Sequence, residues 1–459
     1  MCGGVTASIR RTGGVAGLAV RAALRTKTVA ALLVLLAVCV AVLPGVVKGD
    51  GTPAGELQVL LTYTLGFAFG ILCLATLWAA CALFAAEIDS ARMQLSAVKP
   101  VRAAEFWMGK WLALLGLNAL VLAAVYAGVY GQMAWRMRRS GWADADRPVS
   151  RRVTHPVLPT PKEEAREAYE VLRRQDALPK GMSEAAVLKT LEAKADEKYD
   201  VINPGEEVRW RFHLKRPVGV KKAEPVTVRI RFDTEFSTRE HVTGVCSLSV
   251  AGQPERAVKV PLDDFTQNEI EFAVDTRAFA EGATGTDGLR DFEVAFRHTG
   301  DAKRVSALML RFRKDVELLT PGGTFEANLA RAACVQWSVL ALLAGFGLTL
   351  SACFSLPVAA FVATLLLALT LVGNSVVQVV SEDDEKEWGN RVGIWISRGV
   401  SAATRPTLRA EPLTALTRGE RLEADVLGRS ALWNAVWLPA LFAVAGCWVL
   451  RRRELADTD

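Results

Sequence analysis

Hydrophobic and polar positions are segregated along this chain into six long apolar runs and two extended polar regions. A helix of about 20 apolar residues has the length needed to cross a hydrocarbon core of about 30 Å. The runs therefore predict six membrane-spanning helices, at about residues 29–47, 57–86, 111–129, 327–350, 358–377 and 430–450.

The polar region between the third and fourth runs has a different period. Apolar residues alternate with polar ones, which places them on one face of a β-strand. The clearest such segments are 208–214, 226–232, 270–274, 292–296 and 308–312, and weaker ones are 244–250 and 256–262. About seven strands separated by turn-rich stretches predict an antiparallel β-sandwich. Two polar helices, about 162–175 and 183–198, are predicted before it.

The composition agrees with this segregation. The chain is 51% hydrophobic and 23% charged, with a mean hydropathy of +0.22. Both values fit a helical polytopic membrane protein with an inserted water-exposed domain. The net charge of +6 is too small over 459 residues to favour nucleic acid as a partner.

Basic residues at both ends predict the orientation. Residues 1–28 contain five basic residues and no acidic one, and Arg451, Arg452 and Arg453 follow the last run. Positive charge flanking spans favours the cytoplasmic side, so both termini are predicted there, which requires an even number of spans. This predicts a multi-pass protein of a bacterial inner (plasma) membrane, with 132–326 outside. The basic N-terminus is either an interfacial helix lying on anionic lipid headgroups or a simple leader.

The predicted organisation has seven parts. They are a basic N-terminus (1–28), spans 1–3 with a cytoplasmic loop at 87–110 (29–131), a stalk and helical linker (132–200), an extracytoplasmic β-sandwich (201–326), spans 4–5 (327–377), an extracytoplasmic loop with short helices (378–429), and span 6 with a cytoplasmic tail (430–459).

The sequence contains few residues that could form a catalytic, nucleotide-binding or metal site. Gly109-Lys110 lacks the upstream glycine and following hydroxyl of an ATP-binding loop, and the four histidines are widely spaced. The eight cysteines form no CxxC pair and are expected to be small buried hydrophobes. We predict no catalytic residue, metal site or cofactor in this chain. The near absence of ionisable residues within the spans argues against a proton-coupled pump or ion channel.

The loop at 87–110 resembles the cytoplasmic loop between spans 2 and 3 of ABC-2-type ABC transporter permeases. The similarity lies in Glu87 at the end of span 2, a helical segment at 89–97, Lys99-Pro100-Val101-Arg102, Glu105, and Gly109-Lys110 opening span 3. The six-span count, the RRREL ending at 451–455 and the turn FSLPVA at 354–359 are also similar to that family. The resemblance covers about 15–130 and 327–455. The insertion at 132–326 departs from the simple export permeases.

The resemblance implies that the loop contains a coupling helix that docks on a separate ABC ATPase subunit, which would use the ATP. It also implies a second permease subunit, identical or related. The docking residues would be Glu87, Met93, Leu95, Lys99, Pro100, Val101, Arg102 and Glu105.

The residues themselves support a rigid loop. Pro100 disfavours helix at Lys99 and forces a turn. Aromatic and basic residues after the turn are predicted to anchor the returning chain at the membrane interface, namely Phe106, Trp107, Lys110 and Trp111. The alternative is a passive connector between two spans.

A second function remains open from the sequence. The chain could be a membrane-anchored adhesion or sensor protein whose β-sandwich binds a ligand or an envelope partner. Six spans exceed what an anchor requires, which favours the permease subunit.

Overall fold

The computed structural model describes residues 2–25, 27–47, 52–89, 102–140, 147–157, 161–174, 184–196, 199–219, 225–234, 239–282, 289–299, 307–311, 314–379 and 411–456. The chain divides into two compact units. We call Met1–Val149 with Thr324–Asp459 the membrane unit, and Ser150–Gly323 the β domain.

The described residues of the membrane unit are mostly helical. Its helices are α1 (Cys2–Arg25), α2 (Lys27–Val46), α3 (Pro53–Gln58), α4 (Leu65–Asp89), α5 (Ala103–Ser140), α8 (Phe325–Cys353), α9 (Leu356–Val379), α10 (Pro412–Thr417), α11 (Ala424–Ala431) and α12 (Leu438–Ala456). The β domain contains the other two, α6 (Pro161–Arg174) and α7 (Glu184–Asp196). Single π-helical segments, Val59–Thr64 and Leu432–Trp437, connect α3 to α4 and α11 to α12.

Five helical stretches of the described residues are long and apolar enough to cross a membrane. They are Val29–Val46, Gly55–Leu83, Ala103–Arg139, Phe325–Cys353 and Ala424–Arg452. The predicted span at 358–377 falls in α9, where the shorter stretch Leu356–Ala368 is apolar. The chain is therefore a helical membrane protein with a separate β domain.

A proline in α2 determines one contact between helices. Pro44 has no N–H, so the carbonyl of Val40 one turn earlier cannot receive its usual helical hydrogen bond. Gln132 of α5 donates to that carbonyl from Nε2 at 2.7 Å, and Arg136 donates to the carbonyl of Pro44 at 3.0 Å. Side chains of α5 thus satisfy backbone groups at the end of α2.

Reciprocal tryptophan bonds join α5 to α8. The indole of Trp111 on α5 donates to the carbonyl of Ala341 at 2.9 Å, and Trp337 on α8 donates to the carbonyl of Leu115 at 3.0 Å. Asn118 of α5 bonds another neighbouring helix, since Thr76 of α4 donates to its Oδ1 at 3.0 Å.

Asn328 holds the connection between α10 and α11. Its amide donates to the carbonyl of Glu420 at 2.7 Å, and its Oδ1 accepts from the N–H of Leu422 at 2.8 Å. Gly419 has φ of +66° in this turn, a conformation that favours glycine. One fully buried side chain therefore bonds two backbone groups of this short non-helical stretch.

The β domain is built from eleven described strands. They are β1 (Ser150–Thr154), β2 (Tyr199–Ile202), β3 (Glu207–Val218), β4 (Pro225–Arg231), β5 (Asp233–Thr234), β6 (His241–Val250), β7 (Val258–Phe265), β8 (Glu269–Asp275), β9 (Leu289–His298), β10 (Leu308–Arg311) and β11 (Val316–Gly323). The strands pair antiparallel in three sheets, with orders β1-β11-β4-β8, β2-β10-β5 and β3-β9-β6-β7. Inward-facing residues of all three sheets form one apolar core, which includes Trp210, Phe232, Phe292 and Phe296.

A row of charges crosses the sheet β1-β11-β4-β8 on the side away from this core. Arg229, with only 4% of its side chain exposed, bonds Glu271 at 2.7 Å and Glu317 at 3.0 Å. Arg151 reaches Glu271 from β1 at 2.7 Å. Burial alone would raise the pKa of Glu271, but the hydrogen bond from Arg151 and the charge of Arg229 hold it below its ordinary value. The cluster is thus a buried cation surrounded by carboxylates.

Four strands, β1, β2, β5 and β11, lie outside the predicted strand segments. In β11 consecutive residues Leu318 and Leu319 are both buried, so the strand has no alternation, and Pro321-Gly322-Gly323 has the composition of a turn. The strand β1 lies within the basic stretch predicted as a stalk. The helix α5 also continues to Ser140, past the predicted end of span 3 at residue 129.

Candidate functional site

Of the predicted docking loop, the structure describes only the two ends, 87–89 and 102–110. The helix α4 continues to Asp89 and therefore includes Glu87, and α5 begins at Ala103. The predicted docking residues Met93, Leu95, Lys99, Pro100 and Val101 lie outside the described residues. The candidate site is the group of residues at the two ends of this loop together with α1, which we call the loop base.

Arg102 and Glu105 lie at the start of α5. Arg102 immediately precedes the helix and Glu105 is its third residue, and the Glu105 carboxylate accepts a hydrogen bond from the Arg102 N–H at 3.1 Å. This is the returning half of a capping box, which satisfies an N–H group that a helix start leaves without a partner. The chain leaving the loop therefore has a fixed starting point.

The same carboxylate binds α1. Ser8 donates to Glu105 Oε1 at 2.6 Å, and Arg11 approaches Oε2 at 3.9 Å. Glu105 is only 6% exposed as a result. Glu105 thus links the N-terminal helix to the start of α5.

Gly109 allows α1 to lie directly against α5. A Cβ atom at this position would be 2.7 Å from Cβ of Val15 and 3.0 Å from the carbonyl oxygen of Thr12. Real Cβ atoms do not approach other atoms so closely, so any side chain here would push α1 away. Glu105 and Gly109 are one helical turn apart, on the same face of α5.

Lys110 joins the two ends of the loop. Its ammonium group, on a residue only 1% exposed, donates to the carbonyl of Leu83 in α4 at 2.6 Å. The same ammonium lies 4.4 Å from the ring centroid of Phe106, close enough for a cation–π contact. The helix entering the loop and the helix leaving it are therefore bonded to each other at its base.

Two tryptophans connect the loop base to the rest of the membrane unit. Trp107 is 1% exposed and lies against Gly446 of α12, where an added Cβ would be 3.1 Å from the indole nitrogen. Trp107 stacks on Trp111 with ring centroids 6.2 Å apart, and Trp111 bonds α8 as described above. The contacts described for Phe106, Trp107, Lys110 and Trp111 are with helices of the chain. Their role as membrane-interface anchors stays a prediction.

Sequence reasoning did not find the pairing of α1 with α5. The available signal was two hydroxyl residues and a valine on one face of α1, Ser8, Thr12 and Val15, and a glycine one turn after Glu105. Such rows are common in apolar helices, so they do not identify the partner helix.

Within the described residues, no three His, Cys, Asp or Glu side chains are grouped closely enough to hold a metal ion. Comparison of the chain with protein-family models, curated proteins and solved structures gave no match.

Proposed function

We propose that the chain is the membrane-spanning subunit of an ATP-driven transporter of the ABC-2 type, acting in export. In this proposal six spans cross the bacterial inner membrane with both termini in the cytoplasm. A separate ABC ATPase docks on the loop at 87–110, and a second permease subunit, identical or related, completes the transport pathway. The β domain is a β-sandwich on the outer side.

The observation that carries the proposal is the construction of the loop base. A passive connector needs no fixed ends, whereas a loop that transmits force must be held at both of them. Lys110 bonds α4, and Glu105 and Gly109 hold α1. Trp107 and Trp111 extend these contacts to α12 and α8. A push on the loop would therefore reach four other helices.

The charge distribution supplies the second argument. The basic termini favour the cytoplasmic side for both ends, which supports a position of this loop on the side where ATP is available. The sequence has no ATP-binding loop of its own, so the energy must come from another subunit.

The proposal is tested by replacing residues 97–101 with a Gly/Ser linker of equal length. Affinity-purified wild-type protein is expected to retain a cytosolic protein with a Walker A motif, identified by mass spectrometry, and the variant is expected to lose it. An equal replacement of residues 301–305 in the β domain is the matched control. Unchanged retention of the ATPase by the loop variant would overturn the proposal. The adhesion or sensor function would then be the better-supported proposal.

A point substitution makes the test sharper. Gly109→Ala should displace α1 and weaken ATPase retention several-fold, because the added Cβ meets Val15. Gly116→Ala, on the same helix with nothing within 4 Å of the added atom, should have no effect. Both changes raise helix propensity equally, so this property cannot explain a difference between them.

A further inference from the structure

The β domain contains a cleft of about 510 Å³. Its lining includes Pro156, Val157, Arg209, Arg211, Pro254 and Glu293. Arg209 and Arg211 alternate along β3 with the buried Trp210 and Phe212, so they project from the side of the sheet opposite the core. The cleft therefore lies on the solvent-facing side of the sheet β3-β9-β6-β7.

The two arginines of the cleft differ in their bonding. Arg209 bonds Glu207 at 2.8 Å and also reaches Glu293 at 3.4 Å. Arg211 is 80% exposed, and its ion-pair contact among the described residues is a single approach to Glu293 at 3.7 Å. A guanidinium group has five N–H donors, so most of those on Arg211 are available to a ligand.

The walls of the cleft are apolar and fixed in place. Val157 donates its backbone N–H to the carbonyl of Arg211 at 2.7 Å, which holds Pro156 and Val157 beside β3. The side chain of Val157 remains 62% exposed. Pro254, in the turn after β6, lines the cleft as well. Apolar side chains thus border a floor of charged groups.

We propose that this cleft binds a saccharide unit that carries a carboxylate. The guanidinium of Arg211 matches a carboxylate in shape and charge, through two parallel N–H···O bonds. The carboxylate of Glu293 accepts hydrogen bonds from sugar hydroxyls, and the proline and valine side chains contact the C–H face of the ring. The volume of the cleft lies in the range of small-molecule sites and accommodates one or two sugar rings.

This proposal concerns the β domain alone and does not depend on the transporter function. It names the chemical class of an outer ligand, whereas the ATPase test concerns the loop base. Failure of one experiment leaves the other unaffected.

The experiment uses the full-length protein in lipid nanodiscs and two monosaccharides, glucuronate and glucose. These sugars differ at C6, where glucuronate has a carboxylate and glucose has a hydroxymethyl group. Saturation-transfer NMR titrations should give a dissociation constant for glucuronate at least tenfold lower than for glucose. Arg211→Gln should remove most of that difference. Arg173→Gln, an exposed arginine on α6 outside the cleft, is the control with the same charge change and should bind as the wild type does.

Three outcomes would overturn the proposal. One is no detectable binding of glucuronate to the wild type. Another is equal binding of glucuronate by wild type and Arg211→Gln, provided that both proteins unfold at the same temperature. The third is displacement of glucuronate by acetate at equal concentration, which would mean that the cleft binds any small carboxylate.

Discussion

The membrane unit and the β domain differ in how their polar groups find hydrogen-bond partners. In the membrane unit, single side chains such as Gln132, Trp337 and Lys110 donate to backbone carbonyls of neighbouring helices. In the β domain, backbone groups pair along strands, and the side chains bond to each other, as Arg229 does with Glu271 and Glu317. Helices satisfy their own backbone, so contacts between them depend on a few side chains. A sheet uses its backbone for contacts between strands and leaves the side chains free to form networks.

Removing the buried cation of the β domain should have the largest effect. Arg229→Ala leaves the carboxylates of Glu271 and Glu317 close together without their shared partner, which should cost about 3–5 kcal/mol in the free energy of unfolding. Hydrogen exchange of residues 225–231 and 269–275 in the full-length protein measures this loss of stability. Arg277→Ala removes an exposed arginine that pairs with Asp275 at 2.7 Å, and should change exchange much less. Equal effects of the two substitutions would contradict the importance of burial.

A smaller effect is expected in the membrane unit. Gln132→Leu leaves the carbonyl of Val40 without a hydrogen bond and should cost about 1 kcal/mol. Pro44→Ala restores an N–H that can bond the same carbonyl. In the Pro44→Ala background, Gln132→Leu should therefore lower the free energy of unfolding only slightly. The coupling between the two positions is obtained from a double-mutant cycle of unfolding in mixed micelles. Strictly additive effects would rule out the proposed link between the proline and the glutamine.

The smallest effect concerns pH. His298 is fully buried in the β domain, and burial lowers its pKa below the ordinary 6.5. The unfolded chain takes up a proton more readily than the folded domain, so stability is complete above about pH 6.5 and falls as pH drops towards the folded pKa. His298→Gln should flatten the pH profile of exchange for residues 289–298 between pH 7 and 5. A profile as steep as that of the wild type would assign the pH dependence to other groups.

The sequence predicted elements where one physical signal dominates. Period-two alternation identified β3, β4, β8 and β9, because in each of them apolar core residues alternate with polar or charged ones. The strand β11 was missed because Leu318 and Leu319 are buried on opposite faces. The strand β1 was missed because Arg151 and Arg152 on an edge strand resemble a basic linker.

The candidate site was predictable only in part. Glu105, Gly109 and Lys110 were identified because their loop resembles that of a known family. The residues that they contact could not be identified from the sequence. Ser8 and Glu105 are 97 positions apart, and no local pattern encodes a contact over that distance. The contact depends on two helices meeting in space, which hydrophobic periodicity does not specify.

The bonding of α1 to Glu105 also has a consequence for biosynthesis. The last residue of α1, Arg25, precedes Glu105 by 80 positions (105 − 25). At 5–20 residues per second, translation needs roughly 4–16 s to cover this distance. During that interval α1 has been made but its partner has not. The packing of α1 against α5 is therefore completed late, although α1 is synthesised well before α5.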